Sequence, residues 1–369
     1  MSDVAGAAAP APVPMASARR NGGVGHIPSL DGVRAFSFLL VFVAHAGLDD
    51  VVPGGFGVTV FFFLSGYLIT TLMRSEFDRS GTVHLGHFWL RRVLRILPPF
   101  YLVLLVAVAV TLLLDPGMMS GRPVAAQLLH WTNYWIIFHG YGGGPLGTGV
   151  YWSLAVEEHF YLLFPLVYLL MRRKQLSGRQ QAVLLWSLCA AVLCWRIVLV
   201  HHFHVPMNRT YMGTDTRIDS ILFGCALAVW NNPMLDPPQG SESLWKFLLL
   251  PLAIAVLLWC LVYRGAEFRE TGRYTLQGIA LMPVFIAAMR FPNWLPFRIL
   301  NLRPVVFLGV LSYSLYLVHL AILFVVQRTV AVSPWLQGAL SLALAILAAW
   351  LIQVFVERPC ARLRRRLSE

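Results

Sequence analysis

The stretch LDGVRAFSFLLVFVAHAG (residues 30–47) is a mostly apolar run that carries Arg34 near one end and His45 near the other. Eleven residues apart on an α-helix, the two share a face and stand about 16 Å apart along the axis. Ionisable groups in hydrocarbon are costly unless they face a protein interior or a wet cavity, so the pair predicts a polar track along one side of a membrane helix. Other apolar runs carry similar residues. Glu157 and Glu158 sit in YWSLAVEEHFYLLFP, Asp215 and Asp219 in TDTRIDSILFG, and His319 in SYSLYLVHLAI. Asp215 and Asp219, four apart, share a helix face. A histidine beside a carboxylate is the usual arrangement for general base catalysis, because the carboxylate fixes the tautomer and stabilises the imidazolium. The expectation is that His45, Glu157, Glu158, Asp219 and His319 converge, with Glu157 or Glu158 orienting His45. The plainer reading is a buried polar network that pins helices together.

A second cluster lies in HFWLRRVLRILPPFY, with Arg91, Arg92 and Arg95. Arg92 and Arg95 are three apart and share a face. Arginine forks suit phosphates, often bidentately, so with Arg34 they are candidates to hold a polyphosphate. Anchoring to anionic lipid is the alternative. Metal chemistry is not expected: HHFH (201–204) lacks a matching ligand set, and the five scattered cysteines suggest neither a metal site nor a disulfide framework. The glycine-rich HGYGGGPLGTG has no strand-to-helix context for phosphate binding.

The elements that must position these residues are membrane helices. The chain is 58% hydrophobic and 12% charged, about half the charge of a soluble domain. Apolar length predicts ten spans, at 30–48, 55–73, 97–114, 150–171, 182–201, 216–231, 245–263, 274–290, 304–327 and 335–356. With both termini inside, twenty of the 29 lysines and arginines fall in cytoplasmic segments, as the positive-inside rule requires. The net charge of +12 then reflects loop arginines rather than nucleic-acid binding. The segment 124–140 is apolar but short and polar-studded, and reads as an interfacial or re-entrant helix. Residues 1–28 read as a disordered cytoplasmic tail, 29–359 as the transmembrane domain, and 360–369 as a basic cytoplasmic tail. No cleavable signal peptide, soluble domain, repeat or heptad is evident.

These residues bear a family resemblance. The Arg-x10-His pair in RAFSFLLVFVAH resembles the signature of the acyltransferase-3 family of integral-membrane O-acyltransferases. SLDGVRA, FFFLSGYLIT, RRVLRILPPFY, WSLAVEEHFYLLFP, TRIDSILFGCALA, SYSLYLVHLAI and a terminal VERP resemble its blocks in the same order. Around Tyr67 the chain has Gly-Tyr where Phe is common. The resemblance implies a catalytic role for His45 paired with Arg34, an acyl-CoA site at Arg92 and Arg95, and an acidic pair at Glu157 and Glu158. Asp219, His319 and Tyr161 are candidate substrate contacts. The implied reaction is transfer of an acyl group, most simply acetyl, from acyl-CoA as co-substrate to a hydroxyl acceptor, expected to be a saccharide. The implied setting is a bacterial inner membrane, with no permanently bound cofactor or metal. Since the sequence stops ten residues after Pro359, it resembles the stand-alone type without a fused SGNH domain. The competing class is a transporter or flippase, because intramembrane ionisable residues also mark proton and substrate pathways; no inverted repeat or matched pair of broken helices favours it.

Overall fold

The computed structural model describes residues 27–367, so the expected tail at 1–28 lies almost entirely outside the described residues. Every regular element among them is helical, as the composition and apolar periodicity require. In chain order they are α1 (Pro28–Val43), α2 (Gly54–Ser80), α3 (Leu85–Leu114), α4 (Gly121–Leu128), α5 (Thr132–His139), α6 (Trp152–Arg173), α7 (Gly178–His201), α8 (Met207–Met212) and α9 (Thr214–Val229). There follow α10 (Glu242–Val262), α11 (Gly272–Arg290), α12 (Arg303–Thr329) and α13 (Pro334–Arg366). Among the described residues, eight helices are long and apolar enough to cross a membrane. A ninth is added if α11 and the segment Leu295–Asn301, bent by 82° from it, form one span.

Each of the ten expected spans is a helix, but the sixth, α9, has only 16 residues. It need not match a bilayer because neighbours enclose it: 13 of its residues, including Arg217 and Asp219, are buried. Packing there is close enough to require glycine. A Cβ on Gly66 of α2 would lie 2.0 Å from the Ile221 carbonyl oxygen, and one on Gly224 of α9 would lie 2.0 Å from that of Phe63. Such small-residue contacts let membrane helices approach without a hydrophobic driving force between them. The helices α1, α2, α9 and α12 form the centre, where 72% of the apolar window of α2 is buried. The helices α7, α10 and α13 lie at the periphery, and only 22% of the α7 window is buried. Their outward side chains, such as Val183, Leu248 and Leu347, make the apolar exterior that lipid requires.

The segment 124–140 does not form a span. It is split between α4 and α5 by a turn at which His130 has φ 52°, and its polar Gln127 and Asn133 point into the protein, to Thr148 and Thr214. The expected basic tail is helical over Arg358–Arg366.

Candidate active site

His45 sits where α1 stops being regular. The helix passes into a π turn over Ala44–Leu48, closed by Gly47 at φ 104°, a left-handed value that a side chain would oppose. Single π turns in helices often mark functional positions because they re-aim one side chain. Here the turn sets the His45 ring against α12, with Nδ1 3.0 Å from His319 Nε2 and the rings stacked at 5.2 Å. His319 is fully buried, is held edge-on by Phe38 at 5.7 Å, and has its Nδ1 2.8 Å from the Tyr316 carbonyl oxygen.

This chain of contacts fixes the protons. A carbonyl oxygen only accepts, so His319 Nδ1 carries the hydrogen and donates it. The Nε2 of neutral His319 is then an acceptor, and His45 Nδ1 must be the donor. His45 Nε2 is left with a free lone pair, as a base or nucleophile needs.

Two cavities approach this point. The first, of about 320 Å³, is lined by Arg34, Arg92 and Arg95 together with Glu157, Glu158 and Tyr161. The Arg34 guanidinium donates to Asp31 Oδ1 at 2.6 Å, and Arg92 stacks 5.6 Å over the Tyr161 ring. Ser65, also in the wall, donates to Glu157 Oε1 at 2.5 Å and accepts from the Tyr161 hydroxyl at 3.2 Å. The second cavity, of about 390 Å³, contains His45 in its wall, with Asp49, Trp152, Tyr211, Arg273 and Tyr274. Val58 and Tyr316 line both. The Tyr316 hydroxyl lies 2.7 Å from Ser153 Oγ and 3.1 Å from the Val150 carbonyl oxygen, so Tyr316 is a tethered partition between them.

The arrangement corrects part of the expected constellation. Arg34, Arg92 and Arg95 do gather, and Tyr161 joins them. Glu157 and Glu158 belong to this arginine cavity rather than to His45, whose orienting partner is His319. His319 lines neither cavity, so it stands behind His45 instead of facing a substrate. Asp219 is elsewhere altogether. Fully buried, it pairs with Arg196 at 2.8 Å and accepts from the Ser220 amide and the Thr275 hydroxyl. It ties α7, α9 and α11 together, which is the plainer reading of a buried polar residue. Its face-mate Asp215 is gripped by Arg209 and Trp195. In HHFH, His201 pairs with Glu267 at 3.0 Å.

Several residues of the site escaped sequence reasoning. Ser65 and Tyr316 lie in quoted blocks but carry no charge to draw notice. Arg217, fully buried, donates to Thr59 and stacks 3.9 Å over Tyr274, which buttresses the aromatic wall of the His45 cavity. Its charge at the start of the expected span 216–231 was the available signal.

The chain is similar to the O-acetyltransferase OatA of Staphylococcus aureus, with 30% identity over 345 residues. That match takes in 90% of this chain and 55% of the relative. It is equally similar to the peptidoglycan O-acetyltransferase OatA of Listeria monocytogenes, 30% identical over 358 residues, with 90% and 56% of the two chains covered. The chain thus spans about half the length of the curated relatives it matches. No solved structure matches it. The quoted blocks, several of which line two cavities that share Tyr316 and Val58, and a match of the acyltransferase domain model to residues 27–354 lead to one conclusion: the chain belongs to the acyltransferase-3 family.

Proposed function

We propose that this protein is a multi-pass inner-membrane O-acyltransferase that moves an acyl group, most simply acetyl, from acyl-CoA to a hydroxyl of a saccharide. The observation that carries this reading is the position of His45. Its Nδ1 is engaged by His319, its Nε2 is left basic, and it lines a cavity that shares Tyr316 and Val58 with an arginine-rich one. In the first cavity Arg34, Arg92 and Arg95 hold the phosphates of the donor, which enters from the cytoplasm. The pantetheine arm passes Tyr316 and brings the thioester carbonyl to His45.

The acceptor hydroxyl gives its proton to His45 Nε2 as its oxygen forms a bond to the carbonyl carbon. Collapse of the tetrahedral intermediate breaks the C–S bond, and the thiolate leaves with the proton that His45 returns. His319 Nε2 accepts from His45 Nδ1 throughout, so the ring keeps its orientation in both protonation states. The names of the Staphylococcus and Listeria relatives supply the acetyl group and, for Listeria, the glycan.

The test is to give the purified protein radiolabelled acetyl-CoA with and without a saccharide acceptor. Free CoA released in step with label entering the saccharide supports the reading. Movement of saccharide across a vesicle membrane with no CoA released makes the protein a transporter instead.

A further inference from the structure

Arginines on the outer side of a membrane protein run against the positive-inside bias. Seven fall in segments expected on that side, and two of these have structural duties: Arg209 grips Asp215, and Arg217 props Tyr274. Three more, Arg264, Arg269 and Arg273, come from separate points of the 263–274 segment to line one cavity, the one containing His45. Asp49 is the single carboxylate in that lining among the described residues. The Nε of Arg273 is buried with no hydrogen-bond partner, although another of its nitrogens donates to the Tyr274 hydroxyl at 3.1 Å. Guanidinium groups gathered in a wall with one carboxylate favour an anion between them, which would accept charge-assisted bonds from their forks.

The rest of the wall fits a sugar. Trp152 and Tyr211 pack at 4.9 Å, and with the exposed Tyr141 and Tyr263 they give the cavity an aromatic wall for the C–H surface of a ring. Asn208 and Gln277 add groups for its hydroxyls.

We infer that the acceptor is an anionic saccharide, one bearing a carboxylate or phosphate near the hydroxyl that is acylated, with Arg269 and Arg273 as its anion site. This rests on the reading of His45 as the place where acyl transfer occurs. The arginines set which acceptors are retained beside His45, so a neutral sugar would be bound only through its rings and hydroxyls. The carboxylate and the phosphate share the chemistry that guanidinium forks recognise.

Equilibrium dialysis of the full-length protein in nanodiscs, with no acyl donor present, separates this proposal from the reaction itself. The probes are radiolabelled methyl glucoside, glucuronate and glucose 1-phosphate. At least one anionic probe should bind roughly ten- to a hundredfold more tightly than the neutral one, the range of one or two charge-assisted contacts. Which anion gains distinguishes a carboxylate-bearing from a phosphate-bearing acceptor. Raising salt should shrink the advantage, and R269Q and R273Q should bring the ratio toward one. R273K, which keeps the charge and loses the fork, should fall between, and gel filtration checks that each variant is folded. Equal binding of all three probes overturns the proposal, as does an advantage that survives both glutamine variants. So does a rise in the KM for acetyl-CoA in R269Q and R273Q without a change in sugar binding, which would make these arginines a donor site. Because binding is read without donor, absence of CoA release would count against acyl transfer and not against the anion site.

Discussion

At the scale of single residues, the proton arrangement around His45 is the most informative feature. A backbone carbonyl fixes His319, and His319 in turn fixes His45. The arrangement resembles a catalytic dyad with a neutral imidazole where a carboxylate is more familiar. It orients the base without placing a second charge in a membrane interior, where charges are expensive. His319→Ala should therefore lower kcat by about ten- to a hundredfold while leaving the KM for acetyl-CoA near its original value, as steady-state kinetics at saturating acceptor will show. A residue needed only for packing would reduce the yield of folded protein and leave turnover per folded molecule intact. The arginines proposed to hold the donor give the opposite split. Arg92→Ala or Arg95→Ala should raise the KM for acetyl-CoA roughly ten- to a hundredfold, the cost of a charge-assisted phosphate contact, with a smaller change in kcat. Unchanged affinity for CoA in both variants would make them lipid anchors.

At the scale of elements, the sequence located helices far better than it located their faces. Apolar length put a helix at each of the ten expected spans, although among the described residues only eight or nine are long and apolar enough to cross a membrane, and the Arg92–Arg95 spacing placed both in one cavity, because helix periodicity fixes which side chains share a face. The pairing of His45 with Glu157 or Glu158 failed for a different reason. Similar depth in the membrane says nothing about direction around the bundle, and the π turn at Ala44–Leu48 re-aims His45 toward α12. Asp219 misled in the same way, since a buried carboxylate on α9 is equally served by Arg196 of α7. Arg269 and Arg273 read as ordinary loop charge because nothing local reveals that their segment folds over the His45 cavity. One clamp between elements is open to a pH test. Arg74, at the end of α2, forks onto Asp236 beyond α9, at 2.9 and 2.5 Å, and also donates to the Ala228 and Val229 carbonyls. Burial alone would raise the Asp236 pKa, but the Arg74 fork and the Asn232 amide outweigh it and hold the carboxyl below its ordinary value. A depressed carboxylate contributes stability above its unfolded-state pKa and loses it as pH falls through the folded one. Asp236→Asn should therefore lower the melting temperature at neutral pH and cost progressively less below the ordinary carboxylate range. Thermal melts in detergent at several pH values check this, and a cost independent of pH would mean that charge is not what the clamp uses.

At the scale of the whole molecule, two cavities of different chemistry meet at one partition. The arginine cavity suits a phosphate-bearing donor, and the His45 cavity offers aromatic faces and a surplus of arginine. In the proposed function, donor and acceptor enter these cavities from opposite ends and meet at one base. That proposal carries an orientation, with the Arg34 end and both termini on the cytoplasmic side, as the positive-inside count expects. A reporter fused after Glu369 should read as cytoplasmic, and a periplasmic reading would reverse the proposed entry routes. The central claim is that His45 performs the chemistry and does not merely hold helices together. The direct measurement is acetyl transfer per folded molecule in His45→Ala, with folding checked by gel filtration and acetyl-CoA affinity measured in the same preparation. The expected result is a loss of about 10²–10⁴-fold, typical of a removed general base, with folding and donor affinity nearly intact. A well-folded His45→Ala protein that turns over at close to the original rate would contradict it.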